Sequence, residues 1–454
     1  MKNLALPIGL IVAGGCGEKG TDETPDAGVL EYPGPEIEAF FDRNVLATVR
    51  LDFDQEFLAA EGYDNWEDLL WDRWYHCGPY TNWVPVRFTY EDADGAHPPL
   101  EEVAIRFRGG RDRVDAEGDR NGFKVHFFNL LTDGRRRRFS DLNQLNLLSL
   151  ESDETVMIQC MGYQMLRDFG VPAPRCNHVR VFIDGEYYGL MENAEERDDG
   201  RYLRHNFGGT DGALYAANPG CKHTNNATLQ YLGPTYLGND YEITYKIEQG
   251  TEKDADAQLV PMLACADPTT TPDDGDFASC IQEWLDLDKW LRLMAAEVVM
   301  PSLEAMSGAG RNFYLYFWPD EAAPHGGRFV AYTWDLDHAL VRAGCAPDDC
   351  DILSAVPDWH FPNPPPPLVD RLRTVFRAEF CAKVQEFYDT IFDAAHVDLL
   401  AGVIGDAMVP GGVYAETDPI VSAEAWIDEV EGLRDHIATD RALTLDPQIA
   451  LYCP

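Results

Sequence analysis

How this chain folds is written most plainly in residues 311–337, RNFYLYFWPDEAAPHGGRFVAYTWDLD: an apolar run, a turn at Gly326-Gly327, and a second apolar run that ends in Asp335 and Asp337. Two apolar runs joined by a glycine turn predict a buried β-hairpin. Asn312 opens the first strand, so an amide oxygen and two carboxylates can converge where the strands start and stop. All-oxygen donors suit a hard cation such as Mg²⁺. The same pattern also fits a strand end with solvated acids.

The 454 residues hold 36 basic and 78 acidic side chains, a formal net charge of −42. That balance argues against a broad electrostatic attraction to DNA, RNA or anionic lipid. An apolar content of 45% marks a globular chain with ample core.

Residues 1–16, MKNLALPIGLIVAGGC, carry one lysine, an apolar run and small residues before Cys16. This predicts an export signal too short to span a membrane. Small residues before a cysteine resemble the lipobox of bacterial lipoproteins, which implies that Cys16 is diacylated and anchors the mature chain. Gly17 is not the aspartate that signals inner-membrane retention, so the expected location is the outer membrane or cell surface. Residues 17–36 read as a flexible tether and residues 37–454 as one functional unit. Setting Cys16 aside leaves ten of the eleven cysteines, an even number suited to disulfides. Cys265 with Cys280, and Cys345 with Cys350, are the expected local pairs. Cysteine and histidine spacings of a structural zinc site do not occur.

Along the chain, VPVRFTY (84–90), EVAIRFRG (102–109) and FKVHFF (123–128) alternate as strands. Ser152 or Asp153 can cap a helix that runs to about Phe169, with Gly170 as its stop. HVRVFI and EYYGLMENAE flank Asp184-Gly185, the dipeptide of a type I′ hairpin. Residues 208–250 read as a surface loop, and the chain turns helical beyond Gln282. The expected class is α+β, with a β-rich N-terminal lobe and a helical C-terminal lobe carrying the acidic hairpin.

Several segments together resemble the CotH kinase-like family of spore-coat and cell-surface proteins. They are RFRGG (106–110), NGFKVHF (121–127), SDETVMIQCMGYQMLRDFGVPAP (152–174), VFIDGEYYGLMENAEERDDGRYLRHNFG (181–208), GALY (212–215), NFYLY (312–316) and WDLD (334–337). The resemblance spans about residues 100–390 and implies a two-lobed, atypical protein-kinase-like fold that uses ATP and Mg²⁺. It implies that Asn312 and Asp335 hold the metal, with Asp337 as an accessory ligand. Glu304 falls where the family has its catalytic aspartate; the extra methylene matters, because a shift of about 1 Å can cost roughly a hundredfold in rate. Arg108, Arg120 and Lys124 are the implied phosphate-side cations, with Glu154 as the acid that orients them. Glu195 and Asp198 match the family's hairpin pattern and imply nucleotide contact or lobe bracing. Met191 stands in place of a tyrosine, and Ala216 in place of a lysine.

The implied activity is transfer of the ATP γ-phosphoryl group to Ser, Thr or Tyr hydroxyls of surface or coat proteins. The family includes fungal surface invasins, so the resemblance also admits a kinase-like protein without catalysis, acting in adhesion or coat assembly. From the residues alone, Glu304 with Asp335 also admits a hydrolytic carboxylate pair. The run Arg135–Arg138 reads as a solvated basic turn or a guide for an acidic substrate, and the prolines of 362–367 as a rigid connector.

Overall fold

The computed structural model describes residues 30–32, 34–73, 83–108, 121–131, 136–149, 153–217, 226–300, 305–337, 339–340, 366–408 and 422–454. Cys16, Arg120, Glu304, Cys345 and Cys350 lie outside these residues, as does most of the proline stretch.

The first half of the chain supplies strands β1 (Leu30–Tyr32), β2 (Ala47–Phe53), β3 (Val84–Asp92), β4 (Gly95–Ala96), β5 (Leu100–Arg108), β6 (Gly122–Asn129), β7 (Arg137–Phe139), β8 (Gln144–Leu148), β9 (Cys176–Ile183) and β10 (Glu186–Glu195). One sheet runs β2-β9-β10-β8-β6-β5-β3-β4, and β2 also pairs with β3, which closes seven strands into a barrel. Alternation along each strand sends Val49, Leu51, Phe88, Phe107, Phe123, Val125, Leu147 and Val181 into one core. Closure leaves these strands without an open edge between them.

The β9–β10 hairpin turns on Asp184 and Gly185 at φ of 50° and 84°, the two positive values a type I′ turn demands. Asp184 Oδ1 also accepts the Phe53 backbone N–H at 2.7 Å, which fastens the turn to the end of β2.

Arg137 and Arg138 correct the expected basic turn. Both are buried. Arg137 donates to the carbonyls of Phe127 at 2.8 Å and Glu101 at 2.6 Å, and Arg138 pairs with Glu31 at 2.9 Å. They stitch the parallel β1–β7 pair to the barrel, so Leu30–Tyr32, assigned from the sequence to the tether, is part of the fold.

A second sheet is antiparallel throughout, in the order β12-β11-β13-β14, formed by β11 (Leu214–Ala217), β12 (Tyr245–Gln249), β13 (Phe313–Pro319) and β14 (Gly327–Thr333). The expected hairpin is β13–β14. Its partners come from the segment expected to be loop: LYAA is too short to show a period, and YKIEQ hides an alternation between two faces. Gly212 leads into β11 because the Phe317 carbonyl oxygen fills the space a Cβ would need.

One face of this sheet, with Tyr215, Phe313, Leu315 and Phe329, packs on the main helical core. Helices there include Ile158–Asp168, Leu259–Ala266, Asp274–Trp284, Leu287–Val299, Arg377–Thr390 and Ala423–Thr439. The helical run of the second half thus begins at Glu252, earlier than the sequence suggests, under a capping box in which the Thr251 and Asp254 side chains take each other's backbone N–H groups. The opposite face, with Leu214, Ala216, Tyr314, Tyr316 and Tyr332, meets Tyr202, Leu203 and Phe207 of the Gly200–Phe207 helix.

Disulfides join Cys265 to Cys280, as the spacing suggests, and also Cys160 to Cys176 and Cys381 to Cys453. Among the described residues no helix is long and apolar enough to cross a membrane.

Candidate active site

Register in the hairpin pairs Phe313 with Thr333, so Asn312 and Trp334 sit across from each other just outside the ladder. The Asn312 carbonyl accepts the Trp334 N–H at 2.9 Å and the Thr333 hydroxyl at 3.0 Å. Asn312 and Asp335 lie at φ of 52° and 62°. Asparagine and aspartate enter this left-handed region more readily than other residues with a Cβ. There the two side chains meet: Asn312 Nδ2 donates to Asp335 Oδ2 at 3.4 Å. Asp337 follows in the same loop.

The Ile158–Asp168 helix fixes this loop from behind. Tyr163 Oη accepts the Asp335 N–H at 3.1 Å, and Gln159 Oε1 accepts the Leu336 N–H at 3.2 Å. Gly162 lets Leu336 close in, since a Cβ there would stand 2.9 Å from Leu336 Cδ1. Gln159 is itself oriented by Glu192, whose carboxyl also accepts the Cys160 N–H at 2.9 Å. Glu192 is fully buried, and burial pushes its pKa up to about 8, with Asp153 and Asp337 adding to the rise. The helix starts where Asp153 accepts the Met157 and Ile158 N–H groups at 2.8 and 2.6 Å.

Cations arrive from the barrel. Lys124 on β6 pairs with Glu196 at 2.7 Å. Burial would raise the Glu196 carboxyl, but Lys124, Arg197 and Arg108 together hold it well below the carboxylate range. Arg108, at the end of β5, is brought down to about 10 by burial and by Arg197, while Glu196 and Asp335 act in the opposite sense. The Arg197 guanidinium lies over the Trp334 ring at 4.0 Å, beside the loop that carries Asp335. One cluster therefore joins the barrel cations to the hairpin acids.

The structure thus brings Asn312, Asp335, Arg108 and Lys124 together. Glu195 goes elsewhere: its carboxylate is taken by Arg175 at 3.1 Å and His205 at 3.1 Å. Those two groups outweigh burial and hold its pKa low, His205 contributing most. Nucleotide contact is therefore not assigned to Glu195, which braces β10 against the Gly200–Phe207 helix. The acid among the cations is its neighbour Glu196, since consecutive side chains of an extended strand point to opposite sides. Glu154 is a second correction, because it sits beside Glu429 rather than Lys124. Sequence reasoning missed Glu196, Arg197, Tyr163 and Gln159. Only the charged triplet Glu195-Glu196-Arg197 gave a signal, and its register was not readable.

Cys160, Cys176 and Glu192 place two sulfurs and a carboxylate close together. The sulfurs are joined to each other, so this group is not a metal site.

A family model described as CotH kinase protein matches residues 105–443. No match was found among curated proteins. Among solved structures, the crystal structure of a Helicobacter pylori proinflammatory kinase, CtkA, is similar at 8% identity, covering 73% of this chain and 94% of that chain with a TM-score of 0.30.

Proposed function

The chain belongs to the CotH kinase family, and from that premise we propose that it is an exported phosphotransferase that moves the γ-phosphoryl group of ATP to a Ser, Thr or Tyr hydroxyl of a surface or coat protein. The observation that carries this reading is the meeting of Asn312 and Asp335 at one hairpin end, inside the field of Arg108 and close to the Lys124–Glu196 pair.

An amide and a carboxylate in contact, with Asp337 next along, fit Mg²⁺ by the chemistry of their donors. When bound, Mg²⁺ supplies charge neutralisation on the phosphate oxygens. The chain's own residues do the rest. Lys124 and Arg108 hold the phosphates by charge and hydrogen bonds, Glu196 keeps the Lys124 ammonium in place, and Tyr163 with Gln159 fixes the loop bearing Asp335. Glu304 is the residue proposed to orient or deprotonate the attacking hydroxyl. A two-lobed kinase arrangement follows from this reading, with the barrel as the phosphate-side lobe.

Export by an N-terminal signal, with Cys16 as the lipid carrier, belongs to the same proposal. The three disulfides among the described residues support it, because such bonds persist in oxidising compartments. Glutamate at 304 favours a second reading, a nucleotide-binding surface protein with slow or absent turnover that acts in adhesion or coat assembly. Autophosphorylation with labelled ATP separates the two: Glu304→Asp raises incorporation under the first reading. No label in any variant, with Mg·ATP still bound, supports the second.

A further inference from the structure

Hydrogen-bonded registers align Lys246, Ala216, Tyr314 and Tyr332 in one row across β12, β11, β13 and β14. Residues directly opposite in a ladder share a face, with Cβ atoms about 5 Å apart. Lys246 therefore lies on the face with Tyr314 and Tyr332, whereas Tyr245 turns to the helical core. That face abuts the segment after β10: the Tyr332 hydroxyl donates to the Arg197 carbonyl at 3.0 Å, and Tyr314 is hydrogen-bonded to the Arg197 side chain. The small sheet thus presents a lysine toward the segment that carries the partner of Lys124.

Each sheet offers the same device. Lys124 of the barrel is held at 2.7 Å by Glu196, whose side chain is 3% exposed; Lys246 of the small sheet is held at 2.6 Å by Glu248, whose side chain is also 3% exposed. A buried carboxylate fixes the position of an ammonium that would otherwise swing on four rotatable bonds. Lys246 is partly exposed, and beyond Glu248 the charges around it are Asp198, Lys124 and Glu196. Burial and Lys124 work against its charge while Asp198 and Glu196 support it, and a ligand anion that meets both ammonium groups offsets their mutual repulsion. Ala216, the neighbour in the row, contributes only a methyl group and no charge beside Lys246.

We infer that Lys246 is a phosphate-binding residue of this site, reaching from the small sheet to the terminal phosphates of the nucleoside triphosphate that Lys124 and Arg108 meet from the barrel. The inference rests on the nucleotide reading above and assigns Lys246 a ligand rather than a structural role.

Calorimetric titration with Mg·ATP, AMP and inorganic tripolyphosphate tests it, using wild type, Lys246→Ala, Lys246→Arg and the double variant Lys246→Ala/Ala216→Lys. Lys246→Ala is expected to weaken Mg·ATP and tripolyphosphate about tenfold, the scale of losing one partly exposed charged hydrogen bond, and to leave AMP unchanged. Lys246→Arg restores most of the loss, and so does moving the lysine across the ladder to position 216. Should the alanine variant unfold, Lys246→Met keeps the aliphatic stem and carries the same expectation. Wild-type affinity for Mg·ATP in folded Lys246→Ala or Lys246→Met overturns the inference while leaving the nucleotide reading intact. Equal losses for AMP and ATP also overturn it. Wild type that binds none of the three anions overturns the reading and the inference with it.

Discussion

At the residue scale, the site depends on a few polar contacts in places where their loss is felt. Tyr163→Phe removes only the oxygen that accepts the Asp335 N–H. It is expected to weaken Mg·ATP binding about three- to tenfold, by roughly one hydrogen bond, with a small change in melting temperature; calorimetry and thermal melts check both. Glu192 gives a pH signature. Its folded pKa near 8 exceeds the ordinary carboxyl value of 4.5, so the folded chain holds a proton that the unfolded chain releases between those values. Stability therefore falls as pH rises from about 5 to about 8. Glu192→Gln, which carries no charge, is expected to flatten that part of the profile in denaturant unfolding. A variant that tracks wild type through pH 8 counts against a protonated Glu192. Asn312 and Asp335 were legible from sequence because a hairpin end is a local pattern. Glu196 was not, because choosing between two adjacent acids requires the register of a strand against its neighbours.

Elements set how these residues are held. The Ile158–Asp168 helix contributes Gln159, Gly162 and Tyr163 to the metal loop, and the Cys160–Cys176 bond ties its first turn to β9. Replacing both cysteines by alanine is expected to cost about 2–4 kcal/mol, the usual range for a bond closing a short loop. Mg·ATP affinity should fall as well, because Glu192, which orients Gln159, lies against that bond. Denaturant titration measures the first effect and calorimetry the second; unchanged affinity in the double alanine variant shows that the helix is held without the bond. This helix and the β9–β10 hairpin could be read from their caps and turn, where one dipeptide or one acid decides the conformation. Strands β11 and β12 could not. β12 pairs with β11, and β11 reaches β13 across about a hundred intervening residues; four- or five-residue strands carry too little period to announce themselves.

Two sheets meeting at one charged cluster describe the whole molecule, and they sit within a chain of net charge −42. Cations there are few and mostly paired, so the cluster draws anions locally while the surface repels polyanions. DNA and RNA are accordingly expected not to be retained at about 0.15 M salt, where nonspecific binding depends on many phosphate contacts; filter binding checks this. The α+β character was legible from periodicity, whereas barrel closure through β2 and β3 depends on long-range pairing that no local pattern reveals. The central claim is that the hairpin end at Asn312 and Asp335, with the cations beside it, binds a metal–nucleotide complex. Calorimetric titration of the full chain with ATP, with and without Mg²⁺, tests this most directly when Asp335→Ala is run beside wild type. Saturable one-to-one binding that requires Mg²⁺ and is lost in folded Asp335→Ala is the predicted result. No binding by wild type at millimolar Mg·ATP, or equal binding by Asp335→Ala, contradicts it.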